Sequence, residues 1–274
     1  MTGEFDEAQE RDIEAAMHMA RRERLRRVRR VVLTVLLSLA LCVILAAACV
    51  ALFFKVGTVT VSGSGIYDDW RIREASGIVT GSNLYKIDKA AVAERIIMSL
   101  PYIRGVSIRR SLPSTVIITV TEDEPLYYCE VGGEYFLLSA TLRVLERTDD
   151  PEGLRTRFPS IIRLVTLDIS RAVVGEEVAF YDSDYFDYAL EMLAVFAGCP
   201  LADKLTTINF NDKYDIYLVY DGRFRIEIGS VDSLALKMTM ASEVLASMSD
   251  SYQGLLNVEN DPAYVILGSK YVTG

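Results

Sequence analysis

The residues most able to do chemistry in this chain are few, and their types set limits at once. A single histidine, His18, stands near the N-terminus, so everything after it lacks an imidazole to act as general base or zinc ligand. That removes Ser-His-Asp and Cys-His hydrolysis from the body of the chain. Carboxylates cluster at Glu122-Asp123-Glu124 and at Glu176-Glu177, and a glycosidase needs only two carboxyl groups held a few ångströms apart. Adjacent acids at a strand end read first as a solvated rim, and Val173-Val174-Gly175-Glu176-Glu177 reads as a turn with an acidic edge. Cys42 and Cys49 lie inside an apolar run, which leaves Cys129 and Cys199. For that pair, two buried thiols and a disulfide in an oxidising compartment both stay open. No P-loop or dinucleotide fingerprint occurs, so the expectation is no cofactor, no metal and no enzyme activity. The tyrosines, 15 in all and dense at Tyr181, Tyr185, Tyr188, Tyr214, Tyr217 and Tyr220, suit binding surfaces and half-buried strands alike.

These groups sit on a chain whose charge is unevenly spread. The 274 residues carry a formal charge of -9, yet Arg21 to Arg30 holds seven arginines against Glu23. The acidic remainder argues against nucleic acid as a partner, because phosphate neutralisation needs a basic face. Val31 to Phe54 contains no charge and only Thr34 and Ser38 as polar side chains; its roughly 24 positions reach about 36 Å as a helix, enough to span a bilayer. The run continues past any cleavage-site pattern, so it reads as an anchor and not as a cleaved signal. Arginines before the span and only Lys55 close after it place the N-terminus in the cytoplasm and the bulk outside. The arginine block itself reads as a topology signal against anionic headgroups.

After the span the elements are short. Val56 to Gly63 alternates as a strand, Asp68 or Asp69 caps a helix over Arg71 to Ala75 that Gly77 ends, and Asp88 opens a second helix. In that helix Val92, Ile96 and Leu100 share one face, and Pro101 stops it. Ile103 to Arg110 and Ser114 to Thr121 read as strands joined at Leu112-Pro113. The order is β-α-α-β-β. Such a module directly after a single span resembles a POTRA domain, and Leu100 to Pro125 (LPYIRGVSIRRSLPSTVIITVTEDEP) is similar to the version found in the FtsQ/DivIB family of bacterial division proteins. Gly77 to Asp88 (GIVTGSNLYKID) matches that family's link between the two helices. Tyr102 and Leu112 depart from it, standing where many members have Trp.

From Leu126 hairpins dominate. One turns at Gly132-Gly133; another, Tyr214 to Tyr220 with Arg223 to Ile228, turns at Asp221-Gly222 in a type I′ pattern and alternates Phe224, Ile226 and Ile228 against polar neighbours. Two amphipathic helices cover the sheet: Ser183 to Ala197, with Phe186, Leu190, Leu193 and Ala197 inward, and Asp232 to Met248, with Leu234, Met238, Ala241, Leu245 and Met248 inward. Leu255 to Glu259 and Ala263 to Leu267, split by Asp261-Pro262, end the chain as strands. The hairpin leading into Ile228-Gly229, Lys237 in the next helix and the terminal strand are similar to the β domain of the same family. The expected fold is therefore α+β: tail 1–30, transmembrane helix 31–54, POTRA-like domain 55–124, a mixed and mainly antiparallel β domain 125–268 with two covering helices, and a C-terminal tail 269–274.

The resemblance implies a non-enzymatic, single-pass scaffold concentrated at the division septum. Its implied partners are the small bitopic proteins of the FtsL and FtsB/DivIC types, and through them the septal peptidoglycan synthase, with no nucleic acid. The rival readings are a membrane-anchored cell-wall enzyme and a transmembrane sensor. The strand after Tyr102 matches the family's recruitment surface and suggests Ile108 and Arg110 as contacts, against one core and one solvated residue of an ordinary strand. At the far end, Leu255, Leu256, Asn257, Val258 and Glu259, with Tyr264 nearby, are expected to offer a sheet edge to the FtsB/DivIC-type partner by strand addition. The competing arrangement has Ala263 to Leu267 folding back to occupy that edge itself.

Overall fold

The computed structural model describes residues 29, 31–50, 52–166, 168–260 and 262–272. The expected tail over 1–30, with His18 and all but one residue of its arginine cluster, Asp261, and residues 273–274 of the expected C-terminal tail lie outside the described residues. The chain divides into two compact units, one holding residues up to 58 with 79–87 and 110–116, the other holding 59–78, 88–109 and 117 onward.

The first unit is built on α1, Val31–Val50, a helix of mean hydropathy 2.9 with none of its surface buried in protein. Among the described residues it is the one helix long and apolar enough to cross a membrane. Two loops are tied to its C-terminal end. The Asn83 side chain donates to the Val50 carbonyl at 3.1 Å, the Leu84 amide to the Phe54 carbonyl at 2.8 Å, and the Val56 amide to the Ser82 carbonyl at 2.8 Å. The second loop turns through a cis Leu112-Pro113 bond, and its Ser114 carbonyl accepts from the Gly57 and Thr58 amides at 2.7 and 3.2 Å.

The second unit contains most of the β-α-α-β-β module and all that follows. Strands β1 (Thr58–Ser62), β2 (Ile103–Ser111) and β3 (Thr115–Glu122) pair in the order β1-β3-β2. Helix α2 (Asp69–Ser76) ends at Gly77, whose φ of 63° is the left-handed turn-out that favours glycine. Helix α3 (Lys89–Ser99) starts where the Asp88 carboxylate accepts from the Ala90 and Ala91 amides, satisfying two orphan donors. Its Val92 and Ile96, with Leu100 just beyond, are buried, as their spacing requires.

The larger sheet has nine strands in the order β14-β13-β12-β11-β10-β7-β4-β5-β6. They are β4 (Pro125–Val131), β5 (Glu134–Ser139), β6 (Val144–Thr148), β7 (Ile162–Val165), β10 (Leu205–Asn209), β11 (Ile216–Tyr220), β12 (Phe224–Gly229), β13 (Gly254–Asn257) and β14 (Tyr264–Leu267); β8 (Ile169–Arg171) and β9 (Ala179–Phe180) form a separate ribbon. Five neighbouring pairs are antiparallel and three, β4/β7, β7/β10 and β12/β13, are parallel. Parallel neighbours need a crossover, and each of these connections contains a helix: α4 (Pro151–Arg157), α5 (Asp184–Ala197) and α6 (Leu234–Ala246).

Helices α5 and α6 bury their apolar faces in the main core with Tyr127, Leu164, Ile208, Leu218, Ile226 and Leu256. The α6 face is the expected one, although Met248 falls past the helix end and is only partly buried. On α5 the fully buried set is Ala189, Met192, Leu193 and Phe196; Phe186 and Leu190 pack partly buried against the same core, and Ala197 is exposed. The apolar arc of this helix is wide, and the long side chains of Met192 and Phe196 claim its deepest positions, leaving Ala197 in solvent. Helix α4 was not expected from the sequence. It covers the opposite face of the sheet, where Leu154 packs with Tyr128, Leu137 and Leu145. Asp150 caps it by accepting from the Gly153 amide at 2.9 Å and Pro151 opens it, but with seven residues it is too short to show a period.

Candidate partner-binding surface

Glu122, Asp123 and Glu176 of the carboxylate clusters are engaged within the fold. Glu122 gathers the loop after β1, accepting from the Ser64 hydroxyl and from the Gly65 and Ile66 amides, the last two at 2.9 and 3.1 Å. Burial pushes its carboxyl up, but these hydrogen bonds outweigh burial and hold it below the ordinary value. Asp123 is buried, with Oδ1 3.7 Å from Arg104 and Oδ2 without a hydrogen-bond partner, and burial raises its pKa despite Arg104 and Arg143. Glu176 pairs with Arg171 at 2.8 Å. No group of three His, Cys, Asp or Glu among the described residues could hold a metal. Cys129 is buried and its thiol pushed up to about 12, while Cys199 is half-buried; both are free thiols.

A cleft of about 490 Å³ is lined mainly by Leu126, Tyr127, Ile162, Phe196 and Ile208, with Ser160 and Asp203 at its wall.

The terminal strands form a more informative surface. β13 is not the edge: it pairs in parallel with β12 and antiparallel with β14, so Tyr264–Leu267 occupies the edge that Leu255 to Glu259 was expected to offer. The polar link around Pro262 lets the last segment fold back, and that return satisfies backbone groups that β13 alone would leave open. Along β13 the side chains alternate between the two faces of the sheet. Leu256 and Val258 are buried in the core, while the opposite face carries the row Tyr217, Glu227, Asn257, Tyr264 and the row Val219, Arg225, Leu255, Ile266. Asn257 is itself covered, donating to Glu227 at 2.9 Å and accepting from the Asn260 amide at 3.2 Å. Glu259 folds against Gly229, where a Cβ would lie 2.6 Å from its Cγ. Of the six residues singled out here, Tyr264, 46% exposed, and Glu259 are the exposed ones, and Ile266 and Leu267 beside Tyr264, at 38% and 53%, were missed.

No strand among the described residues pairs with the outer side of β14. The opposite edge, β6, is partly covered, because Val144 exchanges hydrogen bonds of 2.8 Å with Gly175 and Glu176. Lys237 explains part of the resemblance in this region: its ammonium donates to the Ile228 and Ser230 carbonyls at 2.8 and 2.9 Å, closing the end of β12.

The other expected contacts, Ile108 and Arg110, are not displayed together. Ile108 is buried, and Arg110 is half-buried in the first unit, donating to the Ile87 carbonyl at 2.8 Å and lying over the Tyr85 ring.

A three-stranded β-α-α-β-β module is thus followed by a large mixed sheet with its last strand at one edge. Residues 54–123 match the POTRA domain family, FtsQ-type. The cell division protein FtsQ of Corynebacterium glutamicum is 29% identical over 150 residues, 50% of this chain and 67% of that protein. The cell division protein DivIB of Clostridium botulinum is 25% identical over 242 residues, 85% of this chain and 90% of that protein. The extracytoplasmic domain of DivIB from Geobacillus stearothermophilus aligns with 47% of this chain and 99% of its own at 15% identity and a TM-score of 0.28, too loose a likeness to carry geometry across. Along most of its length the chain is thus similar to proteins named cell division protein FtsQ or DivIB.

Proposed function

We propose that this protein is a non-enzymatic scaffold of the bacterial division machinery, anchored by α1 with its N-terminus in the cytoplasm. Its two later domains lie outside, holding FtsL-type and FtsB/DivIC-type bitopic partners and, through them, regulating septal peptidoglycan synthesis. The observation that carries this reading is a last strand, β14, whose outer side pairs with no strand among the described residues, on a chain similar to cell-division proteins. An exposed strand edge offers main-chain donors and acceptors for affinity, and Tyr264, Ile266 and Leu267 supply side chains for register. Relative to the sequence-based expectation the docking strand moves from β13 to β14, with Leu255 and Asn257 supporting Ile266 and Tyr264 from the next row.

The test is binding of an FtsB/DivIC-type partner by Tyr264→Lys and Ile266→Lys. Both side chains are exposed, so stability should change by no more than about 0.5 kcal/mol. Loss of binding at unchanged stability supports the edge; full binding by both variants rejects it.

A further inference from the structure

The first unit carries an exposed surface that the strand-edge reading does not use. As a helix the uncharged run Val31 to Phe54 is about 36 Å long, somewhat more than the hydrocarbon thickness of a bilayer. When this run spans, its C-terminal end lies at the hydrocarbon boundary, just before the first charge, Lys55. Groups bonded to the helix end must lie at that depth too, and Asn83 is bonded to the Val50 carbonyl while Leu84 is bonded to Phe54. The Tyr85 ring packs edge-on to Phe54 at 5.5 Å, a second tie between the 79–87 loop and the helix end.

The composition of this surface is unlike the rest of the chain. Segments 52–58, 79–87 and 110–116 contain Lys55, Lys86 and Arg110 and no carboxylate, in a protein of net charge -9. Lys55 and Lys86 are exposed, and Arg110 lies over the Tyr85 ring. Apolar side chains stand outward at the loop tips, Val79 at 69%, Leu112 at 58% and Tyr85 at 47% exposure. Cations without carboxylates, an aromatic ring and apolar tips just after a span are the features by which proteins meet the interfacial zone of an anionic bilayer.

We infer that the loops 79–87 and 110–116 dock on the bilayer surface where the C-terminal end of α1 emerges, with Val79, Tyr85 and Leu112 in the interfacial zone and Lys55 and Lys86 against anionic lipid headgroups. The inference rests on the reading of α1 as a span. Its consequence is mechanical: the POTRA domain is fastened to the membrane by its own loops and not only tethered by the helix.

The chain's single tryptophan, Trp70, makes the test direct. The full chain carrying Trp70→Phe is given one new tryptophan, Val79→Trp, Leu112→Trp, Leu41→Trp or Tyr181→Trp, and reconstituted with brominated lipids in phosphatidylglycerol or in phosphatidylcholine. Expected are deep quenching for Leu41→Trp, none for Tyr181→Trp, and quenching by bromine near the headgroup for Val79→Trp and Leu112→Trp, several-fold stronger in phosphatidylglycerol. Lys55→Gln with Lys86→Gln should abolish that dependence on lipid charge. If Leu41→Trp is quenched while Val79→Trp and Leu112→Trp behave as Tyr181→Trp does, the docking is overturned. Equal quenching in the two lipids overturns the headgroup contact, whereas an unquenched Leu41→Trp overturns the span reading itself.

Discussion

Arg143 shows how much one side chain can organise. Its guanidinium donates to the Gly175 carbonyl at 3.1 Å within the β domain, and to the Ile103 and Ile97 carbonyls at 2.9 and 2.8 Å in the β-α-α-β-β module. The planar fork of arginine can hold three acceptors at once, which an ammonium on a single stem cannot match in geometry. Arg143→Ala should lower stability by about 2–3 kcal/mol by stranding these carbonyls, and Arg143→Lys should restore only part of it. Urea unfolding of the detergent-solubilised chain measures both; a loss below about 0.5 kcal/mol would show that the junction is held elsewhere. Beside it, Tyr102 donates to Glu146 at 3.0 Å and Arg157 pairs with the same carboxylate at 2.6 Å. Arg157 and the Tyr102 hydroxyl, working against burial, hold the Glu146 carboxyl below its usual 4.5. Its contribution is therefore complete above that value and lost as pH falls through the lower folded value. Asp123 runs the other way. Its folded pKa lies above the usual 3.8 because burial disfavours the charge, so ionisation destabilises the fold as pH rises through that value. Asp123→Asn should raise the melting temperature at pH 7, with the gain shrinking toward pH 3.8; a gain that is constant with pH would mean Asp123 titrates as it does in the unfolded chain.

At the scale of elements, the hold of β14 on the sheet depends on a close approach. A Cβ at Gly254 would lie 2.1 Å from the Ile266 carbonyl oxygen, so glycine is what allows the two terminal strands to pair. Gly254→Ala should push β14 off β13 and cost about 1–3 kcal/mol. Amide exchange should quicken at Tyr264 to Leu267 before it does at β12. Uniform quickening across the whole sheet would instead mean that β14 is bound into the same cooperative unit as its neighbours. The β11-β12 hairpin shows the opposite relation of sequence to structure. Asp221 and Gly222 have φ of 54° and 62°, the type I′ turn that their identities announce. Helix α5 lies between these cases, its existence plain from its period but its buried face decided by which large side chains the sheet could receive.

On the scale of the whole molecule, the proposed scaffold role predicts that the first 30 residues act through charge and topology. Replacing them with an unrelated basic tail should leave division intact at equal protein level; loss of division would favour the sensor reading, in which the tail carries a signal. A fluorescent fusion should form a midcell band, and an even membrane signal would count against the division role. Residue chemistry that acts locally was already determined by the sequence alone: the apolar run, the caps at Asp88 and Gly77, the type I′ turn and the period of α6 each depend on neighbours within a few positions. Tertiary structure decided what depends on partners far along the chain. That includes the return of β14 over β13, the short α4 on the second face of the sheet, the three carbonyls gathered by Arg143 and the loops fastened to the end of α1. Segments of four to seven residues are too short to display a period, and a hydrogen bond between residues 40 positions apart leaves no local trace in composition, so neither was legible before the chain was folded.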